Sequence, residues 1–137
     1  MKCPCFSNKS YKNCCKPYHL DKIAENSQIL MRSRYSAYAL NISDYIIKTT
    51  HKNNPSYNRD FTKWREEIES FSINTQFIGL IIYSFEEFEN RATVTFRAKL
   101  VQNSKNISFS EKSTFIKNFE KWEYLNGEIL PDKENLF

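Results

Sequence analysis

The run Arg91-Ala92-Thr93-Val94-Thr95-Phe96-Arg97-Ala98-Lys99-Leu100 alternates without a break. Ala92, Val94, Phe96, Ala98 and Leu100 fall on one side, and Arg91, Thr93, Thr95, Arg97 and Lys99 on the other. That is the two-residue period of a strand with one face in a core and one in water. Upstream, Phe77 to Phe85 is dense in Ile, Leu, Tyr and Phe, which predicts a strand buried on both faces, with Glu86 to Asn90 as the turn. Downstream, Gln102 to Lys105 turns the chain, and Ile107, Phe109, Phe115 and Phe119 share a parity on a third strand. Trp122 and Tyr124 occupy a fourth, and Asn126-Gly127 reads as a tight-turn dipeptide.

Before residue 72 the period is helical. Met31, Tyr35, Tyr38 and Ile42 recur on one face of a segment from about Asp21 to Leu40, with Arg34 beside or within that face. A short helix through Tyr45, Ile46 and Ile47 follows, capped by Asn41 or Ser43 and ending near His51. Asp60 can cap a third, in which Phe61, Trp64, Ile68 and Phe71 repeat at three- and four-residue intervals. Helices first and a strand meander after them predict an α+β fold, a curved antiparallel sheet packed on three helices.

All four cysteines lie in the first fifteen residues, as Cys3, Cys5, Cys14 and Cys15. Two close pairs separated by a polar, turn-forming loop suit one tetrahedral structural zinc. Two disulfides are the alternative, but adjacent pairs would close very small rings and crossed pairs would crowd. Residues from Met1 onward show no apolar export segment, so a reducing, cytoplasmic setting is expected. His19 rivals Cys15 as the fourth ligand. The division is then a zinc knuckle over 1–20 and an α+β domain over 21–137.

The chain has 137 residues, enough for one domain with a real core, supplied by eleven Phe, eight Tyr and two Trp. The formal charge is +4 with the cysteines counted as thiols, and about +2 with four thiolates on Zn²⁺. That excludes a strong polyelectrolyte, and no apolar run approaches the length needed to cross a bilayer. Lys2, Lys9, Lys12 and Lys16 interleave with Phe6, Tyr11 and Tyr18, a pattern that weakly supports nucleic-acid contact.

The run Cys3-Pro4-Cys5 to Lys9, Tyr11-Lys12 and Cys14-Cys15 resembles the SEC-C motif, the zinc-binding tail of the SecA preprotein translocase. Leu30-Met31-Arg32-Ser33-Arg34-Tyr35, Ala37-Tyr38, Asp44-Tyr45, Thr50-His51, Phe96-Arg97-Ala98 and Trp122 with Tyr124 and Gly127 resemble the YchJ family of bacterial proteins. The resemblance implies a SEC-C knuckle on a cone-shaped domain like nuclear transport factor and ketosteroid isomerase. It also implies docking of the knuckle on a protein or ribonucleoprotein, because the similar knuckle of SecA binds the chaperone SecB and ribosomes. Cones of this type often pair through the open sheet face, so a homodimer is possible. The chain departs from the family at Phe6 and Asn8, where glycines are usual, so the knuckle turn is expected to be made differently. It departs again at Ser110, where a His is usual, and at Glu120-Lys121, where Gly-Arg is common.

Parity and helical phase place Glu111, Ser113 and Arg34 inside the cone, so Glu111 is expected to pair with Arg34 or Arg32. With Tyr38, Tyr45, His51 and Trp64 this pair can line a pocket. No residue is singled out as catalytic. The expected role is an adaptor docking through the knuckle, and the alternative is a small-molecule binder or isomerase-like enzyme working inside the cone.

Overall fold

The computed structural model describes residues 1–132. A 3-10 turn at Tyr11–Asn13 and a short helix α1 (Lys16–His19) close the cysteine segment. Three helices follow, α2 (Ser27–Ala39), α3 (Ser43–Lys48) and α4 (Phe61–Ile73), and then the strands β1 (Gln76–Phe88), β2 (Arg91–Gln102), β3 (Lys105–Asn106), β4 (Phe109–Asn118) and β5 (Lys121–Leu130). The sheet is antiparallel in the order β1-β2-β4-β5, with β3 paired to β2. This is the α+β architecture expected from the sequence.

Local chemistry explains the element ends. Asn26 accepts from the Ile29 amide at 2.8 Å and Asp60 from the Lys63 amide at 3.1 Å, each satisfying a first-turn N–H. Asn41 and Ser43 do not cap α3: its N-cap is Ile42, without a side-chain bond, and Asn41 instead takes a left-handed backbone at φ 60. Asn103 and Ser104, both left-handed, make the two-residue turn between β2 and β3.

The inward face of the sheet carries Ala92, Val94, Phe96, Ala98, Leu100, Phe115 and Trp122, all buried against Leu30, Met31, Tyr35 and Ile68 of the helices. Tyr35 Oη donates to the Gly79 carbonyl at 2.8 Å and ties α2 to β1.

Four strand expectations need correction. β1 is not buried on both faces: Ile78, Ile81, Tyr83 and Phe85 are exposed, because no layer covers that side. Arg97 is not in water but 3% exposed, against Ser110 and Asp132. Phe119 breaks the parity of its strand. It sits left-handed in the hairpin between β4 and β5 and is 93% exposed. Asn126-Gly127 is not a turn but lies inside β5, just after a bulge that leaves Leu125 without a partner.

Candidate functional site

Two constellations stand out, the cysteine knuckle and the interior of the cone. In the knuckle the backbone folds back on itself, with the Cys3 amide on the Lys9 carbonyl at 2.8 Å and a bridge between Lys2 and Ser10. The four sulfurs lie within 4.8 Å of one another, and Cys3, Cys5 and Cys15 are buried. Cys5 and Cys14 are 3.6 Å apart and Cys14 and Cys15 3.9 Å, too far for a disulfide, and all four are free thiols. Interaction with Cys15, with smaller help from Ser7, Cys3 and Cys14, holds the Cys5 thiol well below the usual range, and the same interaction, with burial, pushes Cys15 up. Sulfurs that share protons in this way form a donor set that a cation can take over by displacing them. The set can hold one metal ion, and its four thiolates fill a tetrahedral sphere.

His19 is not part of that set. Its Nδ1 meets Tyr11 Oη at 2.7 Å, its Nε2 meets the Ser33 carbonyl at 2.8 Å, and its ring packs edge-on against Tyr45. It therefore fastens the knuckle to α2. Arg32 does the same from the other direction, donating to the Cys5 carbonyl at 3.0 Å and approaching the Cys5 sulfur at 4.0 Å.

The turn after Cys5 does not avoid the left-handed region. Phe6 has φ 62 and Asn8 φ 69, the angles at which glycine is free and an L-residue is strained by about 1–2 kcal/mol. Asn tolerates this; Phe is compensated in part by an edge contact with Tyr35, centroids 6.3 Å apart, while its ring stays 45% exposed.

Inside the cone a cavity of about 400 Å³ lies between the sheet and helices α2 and α4. Phe71, Phe77, Phe96, Phe109 and Phe115 form much of its wall, and Arg34, Ser113, Tyr124 and Glu111 give it one polar end. The cavity brings together Arg34, Tyr38, Trp64 and Glu111. It does not include Tyr45 or His51. Tyr45 turns toward Ser33, with Oη and Oγ 2.7 Å apart, and lines a second cavity near Lys48 and Trp122. The His51 amide donates to the Tyr124 carbonyl, and its ring Nδ1 accepts from the Asn53 amide. Helical phase alone does not fix how so short a helix sits: α3 turns Tyr45 away from the cavity, and the backbone bond to β5 just after it turns His51 away.

The expected ion pair is also indirect. Arg34 Nη1 donates to the Ile46 carbonyl (3.2 Å), Thr49 Oγ1 (2.7 Å) and Thr50 Oγ1 (3.1 Å), not to Glu111. Glu111 accepts from Ser113 Oγ and, at 3.1 Å, from Tyr124 Oη, both on Oε2. Tyr124 stands between the charges, its ring 4.8 Å from the Arg34 guanidinium. Burial is the main reason its phenol is pushed well up, and the nearby Glu111 carboxylate adds to that. The Tyr124 backbone is held in both directions by the end of α3, donating to the Thr49 carbonyl at 2.8 Å and accepting from the His51 amide at 2.9 Å. Tyr124 is the residue the site reading missed; the parity it shares with Trp122 was the signal for it.

A curved antiparallel sheet closed over helices into an aromatic cone, with a four-cysteine knuckle stitched to its first long helix, defines an NTF2-like domain carrying a metal-site motif. A family model described as the YchJ middle NTF2-like domain matches residues 26–127. The chain belongs to the YchJ family. It is 34% identical over 128 residues to the UPF0225 protein YchJ of Shigella dysenteriae serotype 1 (strain Sd197), covering 91% of this chain and 81% of that one. It is 38% identical, with the same coverage, to a UPF0225 protein of Enterobacter sp. (strain 638). Among solved structures, a SEC-C motif containing protein from Rhodopseudomonas palustris superposes with TM-score 0.78 at 30% identity, covering 96% of this chain and all of that one. Another from Psychrobacter arcticus gives 0.72 at 26% identity, over 95% and 83%. Among the described residues no helix is long and apolar enough to cross a membrane.

Proposed function

We propose that this protein binds a small organic molecule inside its cone and that one structural zinc in the knuckle holds the first long helix in place. The observation that carries the binding reading is the cavity itself, about 400 Å³, aromatic on its walls and polar at one end. That is the usual make-up of a small-molecule site. Zinc is supported by the sulfur spacing: a tetrahedral ion with Zn–S bonds of about 2.3 Å puts its sulfurs about 3.8 Å apart, close to the 3.6 and 3.9 Å seen here. Four thiolates leave no position for water, so the ion has a structural role.

The test is a titration of the metal-loaded protein with small aromatic compounds, read by NMR at Trp64, Phe96 and Phe109. Those signals are expected to move while the knuckle signals stay still. Ala98→Phe, which fills the cavity from a position 3% exposed, is expected to abolish the response. No shift with any compound would overturn the reading.

A second reading has its own observation. Phe6 stays half in solvent on a strained backbone, and Lys2, Lys9 and Lys12 of the same knuckle are exposed. A knuckle that exposes both an aromatic ring and lysines suits an acidic protein or ribonucleoprotein partner. Co-sedimentation with purified ribosomes is expected, and Lys9→Glu with Lys12→Glu is expected to weaken it about tenfold at unchanged metal content. Equal binding by the charge-reversed protein would remove knuckle docking.

A further inference from the structure

Three charged side chains line the cavity, the exposed Glu67 and, at its polar end, Arg34 and Glu111, two opposite charges that do not bond to each other. Arg34 is 8% exposed, yet all three of its hydrogen bonds leave from Nη1. Its Nε and Nη2, which form the parallel donor edge of a guanidinium, have no acceptor among the described residues. Glu111 is the mirror case: both of its donors reach Oε2, and Oε1 has none among the described residues. Neither group can turn to the other, because Tyr124 stands between them. Its hydroxyl serves Glu111, and its ring faces Arg34 without offering an in-plane acceptor.

The guanidinium of a buried arginine and the carboxylate of a half-buried glutamate both line the cavity with hydrogen-bonding capacity to spare. Each asks for a different partner. A ligand with only a carboxylate would satisfy Arg34 and bring like charge toward Glu111. A ligand with only an amine would satisfy Glu111 and bring like charge toward Arg34. One head group satisfies both, an anionic acceptor pair beside a cationic donor. The walls beyond it, including Phe71, Phe96 and Phe109, accept an apolar body.

We infer that the ligand of the cone is a free α-amino acid, or a close relative, with an aromatic or branched apolar side chain. Its carboxylate lies along the Nε/Nη2 edge of Arg34, and its ammonium group donates to Glu111 Oε1. The apolar side chain fills the aromatic cavity. This rests on the cone being a small-molecule site and adds the class of molecule that fits it.

Four probes test it on the metal-loaded full chain: L-phenylalanine and L-leucine, then phenylalaninamide and 3-phenylpropanoate, which lack the carboxylate and the amine. Affinity is read by calorimetry and by NMR at the cavity residues. At least one of the two amino acids is expected to bind, and L-phenylalanine to bind about tenfold or more tightly than either truncated analogue, since each lacks a charge-assisted bond to a partner lining the cavity. Glu111→Gln is expected to erase the preference for L-phenylalanine over 3-phenylpropanoate while leaving the fold and metal content intact. If 3-phenylpropanoate or the amide binds as tightly as the amino acid, the amino-acid class is overturned and the small-molecule site stands. If none of the four probes moves a cavity signal, the amino-acid class is overturned, and the small-molecule reading falls with it only if the wider set of aromatic compounds is silent too.

Discussion

Chelating the metal, or replacing Cys5 by Ser, is expected to lower the melting temperature of the whole chain by about 10 °C or more. The effect should reach beyond the first twenty residues because the knuckle does not stand apart. Cys3, Cys5 and Cys15 are 4%, 0% and 2% exposed and belong to the same buried cluster as Leu30, Met31 and Tyr35. His19 holds the Ser33 carbonyl and Arg32 the Cys5 carbonyl, so loss of the ion releases two fastenings on α2 together. That helix carries Arg34 into the cavity, and Arg34 bonds the end of α3. Calorimetry with amide exchange checks this: faster exchange should extend from the knuckle through α2 while β2 and β4 stay protected. If exchange rises only in residues 1–20 and the melting temperature holds, the knuckle is an independent appendage.

Gly127→Ala is expected to cost about 2–4 kcal/mol, large for one methyl group on a strand. The Gly127 backbone has an ordinary φ, so the glycine is there for space. A Cβ at that position would overlap the carboxylate of Glu111, which lies over it. Displacing that carboxylate would strip it of Ser113 and Tyr124, leaving a partly buried charge poorly served. The measurement is a double-mutant cycle in urea with Glu111→Ala. Removing the carboxylate should make the methyl group tolerable, a coupling of about 1–3 kcal/mol. Two costs that simply add would show that Glu111 does not fill the space left by Gly127.

Much of this fold was legible because its periods are clean. The inward set of β2 and the Asp60 cap of α4 each rest on a local rule that tertiary packing did not override, Arg97 on the outward set being the exception. The errors have a common physical origin. Phe119 continued the parity of β4 and so read as core, but the strand ends at Asn118 and Phe119 opens the two-residue hairpin loop. Asn126-Gly127 carries strong turn chemistry, and only the neighbouring strand reveals that the glycine makes room for the side chain of Glu111. For the cavity, parity and helical phase brought Arg34 and Glu111 to one interior, but could not place Tyr124 between them, because a bulge in β5 sets its depth. Tyr45 and His51 were misplaced for a related reason: how α3 seats depends on its bonds to β5 and α2, which lie far away in sequence.

The burial of the cysteines by α2 has a consequence for biosynthesis. The sulfurs leave the ribosome ahead of the helix that covers them, which ends at Ala39. At ordinary elongation rates that leaves a few seconds in which the thiols are open to oxidants as well as to cations. Oxidation and capture of a cation then compete for the same four sulfurs until the helix has closed over them.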